Sequence, residues 1–358
     1  MIIKKILLEL ITFFNILCIV KCNIEYKISE NITANNDIKN YSNFSQGYSE
    51  FNSILKSTLE ADSILENELM KKHTTFKIGG PAKYFVKPKT VNQIIDVIKL
   101  CNKYKVNYFI LGNGSNLLVS DNGYNGVVIQ INETNFSNFQ VLKKNKRNYI
   151  LKVGGGMSMR TLSIEAGLLS LKGLEDIIDI PGTVGGGIIM NATFMRDGLS
   201  KSLASVKVIT SNGTLMKLTK KECGLTIRGS LLKNKNYLVI EATFKLKKGN
   251  QMEIQKTMTH NTELRYHKQP MYYGSAGSFF VWDHLKHGSM YEKYKKNNLV
   301  SYRIGDAMIY THNISFIINL RNASAANVIN VVRHIEKVIK DNYDIDIKRE
   351  VVILGTFN

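Results

Sequence analysis

The rhythm of hydrophobic and polar positions changes several times along the chain, and each change marks a boundary. Met1-Ile2-Ile3-Lys4-Lys5 leads into a mostly apolar run from Ile6 to Val20, broken by Glu9 and Asn15. Lysines ahead of a short apolar run match the layout of a secretory entry signal over residues 1–22. A membrane span needs about 20 apolar residues, so cleavage is expected rather than a stable anchor in the mature chain. From Asn23 to Leu59 the sequence is rich in Asn, Ser and isolated aromatics without a sustained period, which reads as a linker or targeting leader over 23–59. Strand signals begin at Phe76 and then alternate with helical stretches, so the body is expected to mix α and β without internal repeats.

Two helices are predicted with their reasons. Thr90-Val91-Asn92-Gln93 has capping-box spacing, and Ile94, Val97, Ile98 and Cys101 follow at helical intervals, so one apolar stripe should pack on a sheet. Ser324 is placed to cap the second. Val328, Val331, Val332, Ile335, Val338 and Ile339 would fill its buried face, and a short link through Ile345 and Ile347 leads to a strand at Val351 to Leu354.

Between them lie three glycine clusters. The predicted strand Tyr108 to Leu111 runs into Gly112-Asn113-Gly114-Ser115-Asn116, and Leu117-Leu118-Val119 then favours another strand. A dinucleotide-binding Rossmann unit requires a helix after its glycine turn, so that reading is disfavoured. Close glycines flanking Asn and Ser can still turn successive N–H groups inward as a nest for a diphosphate, and a plain turn is the alternative. Val153-Gly154-Gly155-Gly156 follows a second predicted strand, and Ile180-Pro181-Gly182-Thr183-Val184-Gly185-Gly186-Gly187 precedes the apolar Ile188-Ile189-Met190. Loss of side chains over such a length lets main chain approach a flat ligand, and proline fixes one dihedral in advance. A planar ring cofactor would suit it.

Composition narrows the class of molecule. With 358 residues, 44% hydrophobic and 22% charged, the chain has ample material for two or three domains, and collagen-like, coiled-coil and wholly disordered chains are excluded. Lys and Arg number 48 against 29 Asp and Glu, a formal charge of +19 that favours anionic partners. Abundant Lys, Asn and Ile equally fit drift toward an AT-rich code. No compact basic stripe or interleaved aromatic platform is present, so no nucleic-acid partner is expected. Cys18, Cys22, Cys101 and Cys223 imply no disulfide framework, and His284 with His287 lacks a third ligand, so no metal is expected.

At the glycine clusters a family resemblance becomes visible. Phe76-Lys77-Ile78-Gly79-Gly80-Pro81-Ala82, Leu111-Gly112-Asn113-Gly114-Ser115-Asn116-Leu117-Leu118, and Gly173-Leu174-Glu175 through Ile180-Pro181-Gly182-Thr183-Val184-Gly185-Gly186 to Met190-Asn191-Ala192 resemble UDP-N-acetylenolpyruvoylglucosamine reductases, the MurB flavoproteins, of the type without an extra substrate-domain loop. Arg265 with Gln269-Pro270, Ser275-Ala276-Gly277-Ser278-Phe279, Arg303-Ile304-Gly305, and Arg349-Glu350-Val351 with Ile353-Leu354-Gly355 continue the likeness in order, from about residue 65 to the end.

The resemblance implies an α+β fold: a two-subdomain FAD-binding module of the vanillyl-alcohol-oxidase (PCMH) type over 60–131 and 132–247, then a smaller α/β substrate-binding domain over 248–358. It implies FAD and NADPH as cofactors and a UDP-sugar enolpyruvate as substrate, in a monomer. Gly112, Asn113, Gly114, Ser115, Asn116 and Leu117 would hold the FAD diphosphate; Pro181, Gly182, Thr183, Gly185, Gly186 and Asn191 would lie near the flavin. Arg228 and Glu350 match the residues that stabilise an enolate-like transition state, and Ser278 matches the proton donor.

Several positions depart from the family pattern. His73 stands for the usual Asn, Ile227 for the Tyr before the catalytic Arg, Thr193 to Gly198 for a glycine-rich loop, Val281-Trp282-Asp283 for a basic-Asn-Pro run, and Tyr310-Thr311-His312-Asn313 for Ser-x-Lys-His; Glu292 replaces a frequent cation. These changes gather in the region expected to grip the sugar nucleotide. A flavoprotein of the same fold with another anionic substrate, or with lapsed catalysis, is therefore the alternative. An enzyme of this family ordinarily works in bacterial cytoplasm; entry signal and leader together would instead route this one to a plastid-like organelle.

Overall fold

The computed structural model describes residues 49–145, 148–194 and 197–357, so the entry signal and most of the leader lie outside the described residues. Two units are separable, residues 1–57 and 58–358. In the first, the described residues are helical from 49 onward. The second contains three larger sheets, three two-stranded ones and the functional residues, and only it is considered below.

The first sheet has the order Ile64–Leu69, Pro81–Val86, Tyr124–Gln130, Tyr108–Leu111, with the first pair antiparallel and the others parallel. It begins earlier than the sequence suggests. Ile64–Leu69 is an edge strand with a mostly exposed or half-exposed pattern, so its Glu66, Asn67 and Glu68 hide the strand signal. Phe76, the expected onset of strand structure, lies instead in an irregular segment that plugs the core of the third sheet together with Ile78 and Leu118.

Helix Val91–Lys103 starts with the predicted capping box, Thr90 accepting from the Gln93 amide, and buries Ile94, Val97, Ile98 and Cys101. The second sheet is antiparallel in the order Leu215–Thr219, Leu203–Ile209, Leu238–Lys248, Asn148–Gly154, Phe139–Lys144. Helices Met159–Leu168 and Val184–Ile189 contribute to its core through Met159, Leu162, Val184 and Ile188.

The third sheet, Gly274–Ser278, Phe316–Asn319, Ala307–Ile309, Arg303–Ile304, is antiparallel and shares a core with helix Ala325–Tyr343. Ser324 caps that helix through the Asn327 amide, and Val328, Val331, Val332, Ile335 and Ile339 are buried. Helix Gln251–Lys268 docks instead on the second part: Asn261 Nδ2 donates to Glu175 O at 3.4 Å and to Asp176 Oδ1 at 2.9 Å.

Strands and loops tie the parts to one another. The last strand, Val352–Leu354, leaves the third core and pairs in parallel with Leu117–Val119, directly after the first glycine loop. Thr75 Oγ1 donates to Ser275 O at 2.7 Å, and Asn319 Nδ2 to Phe76 O at 3.1 Å. Asp121 accepts from the Ala325 and Ala326 amides at 2.8 and 2.9 Å, placing a carboxylate on the positive end of the long helix. Asp121→Ala is therefore expected to cost about 1 kcal/mol of stability, read as a lower urea midpoint at unchanged m; an unchanged midpoint would show that this contact does not secure the helix.

Candidate active site

All three parts contribute to one cavity of about 760 Å³. From the first sheet comes the loop after Tyr108–Leu111. Gly114 has φ +62°, and a Cβ there would lie 2.1 Å from the His73 carbonyl oxygen, so only glycine lets the loop fold onto that segment. The amides of Asn113, Gly114 and Ser115 donate to no described residue while these residues line the cavity, an arrangement suited to a phosphate. Ser115 Oγ donates to Pro181 O at 2.8 Å, fastening the first glycine loop to the second.

That second segment is less of a loop than its glycines suggest. Thr183 caps a short helix, Val184–Ile189, by accepting from the Gly186 amide. The glycines divide by role: a Cβ on Gly186 would meet only Thr183 Oγ1 within 4 Å, whereas one on Gly185 would press on Val239 O at 2.9 Å and Gly155 O at 3.0 Å. Pro181, Gly182, Thr183 and Gly186 line the cavity together with Gly112, Asn113, Gly114, Ser115, Asn116 and Leu117. Gly185 does not, because its amide faces inward to Gly155 O at 2.8 Å. Asn191, between the lining residues Met190 and Ala192, is not itself in the lining: its Nδ2 donates to Thr226 O at 2.8 Å and its Oδ1 is buried without a partner. A bare backbone face beside unclaimed amides fits a diphosphate carrying a flat ring, so the residues present fit FAD.

The ionisable residues arrive from distant parts of the chain. Arg228 projects from a two-residue turn closed by Thr226 and Gly229, with φ +57°. Glu350 precedes the last strand. Its amide donates to Phe279 O at 2.8 Å and its carbonyl accepts from Asn116 Nδ2 at 3.1 Å, so it is pinned between the serine strand and the first glycine loop. Arg228 Nε lies 3.5 Å from Glu350 Oε1, and Arg228 NH1 donates to Thr193 O at 3.2 Å. Ser278 ends its strand after Gly277, whose φ is +81°, and lines the same cavity. The three predicted catalytic residues thus line one cavity.

Burial pushes the Glu350 carboxyl above its ordinary pKa, with Arg228 and Lys233 opposing the shift. Lys233, in the short helix Leu231–Asn234, lines the cavity and has no sequence motif to reveal it. Arg265 also belongs to the wall. Its guanidinium is buried over the Phe194 ring at 4.6 Å, NH2 donates to Gln269 Oε1 at 2.7 Å, and burial pulls its pKa down to about 10.

Several of the departing positions serve local structure. His73 stacks on Phe85 at 4.1 Å and meets Glu68 Oε1 at 2.9 Å, Asp283 caps the helix His284–His287, and Tyr310 packs beside Tyr273 at the rim. Among the described residues no group of acids, histidines and cysteines could hold a metal ion, and no helix is long and apolar enough to cross a membrane.

Known proteins share this arrangement. A family model described as an FAD binding domain matches residues 82–219, and one described as the C-terminal domain of UDP-N-acetylenolpyruvoylglucosamine reductase matches 269–354. The UDP-N-acetylenolpyruvoylglucosamine reductase of Lachnoclostridium phytofermentans is 34% identical over 307 residues, 84% of this chain and 96% of that protein. The reductase of that name from Alkaliphilus metalliredigens is 37% identical over 295 residues, 82% and 94% of the two chains. The crystal structure of the Thermus caldophilus reductase superposes with a TM-score of 0.67 at 29% identity, covering 80% of this chain and 98% of that one.

The raised Glu350 pKa has a sign that can be checked. The folded chain holds this proton more tightly than the unfolded one, so ionised Glu350 is a net cost that is absent below the ordinary value of 4.5 and grows as pH rises through the folded value. Glu350→Gln should therefore gain melting temperature relative to the unaltered protein between about pH 4 and about pH 8. An equal offset at both pH values would contradict the burial argument.

Proposed function

Because the chain belongs to the UDP-N-acetylenolpyruvoylglucosamine reductase family, we propose that it reduces the enolpyruvyl ether of UDP-N-acetylglucosamine to UDP-N-acetylmuramate, a peptidoglycan precursor, using NADPH. The observation that carries this reading is that Arg228, Glu350 and Ser278 line the same cavity as both glycine segments, with Arg228 3.5 Å from Glu350. Residues 60–131 and 132–247 are the two halves that hold FAD, and 248–358 is the part that receives the nucleotide. The lysines and short apolar run of 1–22 support its reading as an entry signal.

The two glycine segments would hold FAD, which when bound would supply the hydride chemistry, with NADPH as the reductant. The chain's own residues manage the charge that hydride addition creates. Arg228 fixes a cation where the substrate carboxylate takes on enolate character, and its bond to Thr193 O limits the directions its guanidinium can take. Glu350, held toward its protonated form by burial, can donate a hydrogen bond to that carboxylate instead of repelling it. Ser278 delivers a proton to the adjacent carbon, with Arg228 and Lys233 making loss of that proton tolerable. The amides of Asn113, Gly114 and Ser115 receive the cofactor diphosphate.

Purified protein should be yellow and, without oxygen, should consume NADPH beyond one equivalent per flavin only when the enolpyruvyl nucleotide is present. Ser278→Ala should keep the flavin absorbance while kcat falls roughly 10²- to 10⁴-fold. A colourless protein would contradict the cofactor assignment. A yellow protein without nucleotide-dependent NADPH loss would overturn the substrate assignment, and full activity of Ser278→Ala would remove the serine from its role.

A further inference from the structure

Asn191 is absent from the cavity lining, although Met190 and Ala192 beside it belong to that lining, its Oδ1 is buried without a partner, and its motif suggests contact with the cofactor. Its backbone has φ +45° and terminates the helix Val184–Ile189, with its amide donating to Ile188 O at 3.1 Å and the Ala192 amide to Gly187 O at 2.7 Å. Asparagine tolerates this left-handed conformation better than most residues, which explains the helix stop. It does not explain where the side chain goes. The amide Nδ2 reaches across to Thr226 O at 2.8 Å, and Thr226 opens the turn that carries Arg228.

That turn is weakly closed by its own backbone. Thr226 N donates to Gly229 O at 2.9 Å, but the return bond from Gly229 N to Thr226 O is 3.4 Å. Arg228 occupies a left-handed conformation at φ +57°, one that costs a residue with a side chain roughly 1–2 kcal/mol. A strained residue persists when its surroundings over-determine it. Here the surroundings are Asn191 on Thr226 O, Thr193 O on the guanidinium, and Ser230 Oγ donating to Ile189 O at 2.7 Å. Two of the three fasten the turn to the C-terminal end of the helix, whose residues Gly186, Gly187 and Ile189 line the cavity.

We propose that Asn191 is a positioning residue for Arg228: its side-chain amide fixes the Thr226–Gly229 turn against the end of the glycine helix, so the guanidinium is held in register with the cofactor cradle. This rests on the reaction proposed above, but it assigns Asn191 to the reacting carboxylate's cation and not to the cofactor. Loosening the turn would let the guanidinium drift from the enolate-like charge, and misplacement by about 1 Å costs on the order of 100-fold in rate.

Asn191→Gly tests this directly, because glycine keeps the left-handed backbone and deletes only the amide. The variant should retain FAD and the unaltered KM for NADPH, while kcat with the enolpyruvyl nucleotide falls roughly 10- to 100-fold. In an Arg228→Lys background the same change should cost little more, since the element it positions is already altered. Asn191→Asp, which keeps the shape but sets an oxygen against the Thr226 carbonyl, should resemble Asn191→Gly. Loss of FAD from Asn191→Gly would restore the cofactor-contact role, and equal losses with and without Arg228→Lys would show a structural role; either overturns the proposal, as does full activity. Failure of the unaltered protein to turn over the nucleotide would instead defeat the reaction assignment, so the two failures are distinguishable.

Discussion

The active site depends on one strand pairing. Val352–Leu354 is the last strand among the described residues, yet it pairs with Leu117–Val119, which follows the first glycine loop. A parallel pair between segments so far apart in sequence needs the intervening chain to have folded. Once formed, it leaves Glu350 no freedom: two residues before the strand, its carbonyl is held by Asn116 and its amide by Phe279. The acid is thus set by the same backbone that shapes the cofactor loop on one side and the serine strand on the other.

The opposing charge is set by a different device. Arg228 stands on a strained turn whose anchors lie on the second part of the chain. Carboxyl and guanidinium therefore belong to separate frameworks that meet in the lining of the cavity, 3.5 Å apart. Burial works against ionised Glu350, and Arg228 with Lys233 works for it. Burial favours the neutral carboxyl, which repels an anionic substrate less than the ionised form does. Arg265, buried and stacked on Phe194, adds a second fixed guanidinium to the same wall.

Much of this was legible in the chain. The Thr90 and Ser324 caps carry local signals that depend on only a few neighbouring residues, and both helices form as read. The collinear motifs around Gly112, Pro181, Ser278 and Glu350 led to the right fold, and three widely separated residues converge. What could not be read is set by tertiary context. The strand Ile64–Leu69 is an edge with polar residues, so it lacks alternation strong enough to see. Phe76 looks like strand but serves as a plug for another sheet's core. The glycines of 185–187 looked uniformly open to ligand, yet helix formation turns Gly185 into the protein, where backbone carbonyls stand under 3.1 Å from any added side chain. Lys233 has no motif at all, and its place follows only from the turn before it.

The central claim is that the folded chain presents a guanidinium, a carboxyl and a hydroxyl to a substrate beside a backbone cradle for FAD. Its most direct test is a single turnover without oxygen. Protein bleached with one equivalent of NADPH should regain its full flavin absorbance when mixed with the enolpyruvyl nucleotide, and Arg228→Ala should stay bleached. If the unaltered protein also stays bleached, or if Arg228→Ala recovers colour at the same rate, the geometry described here does not perform the reaction.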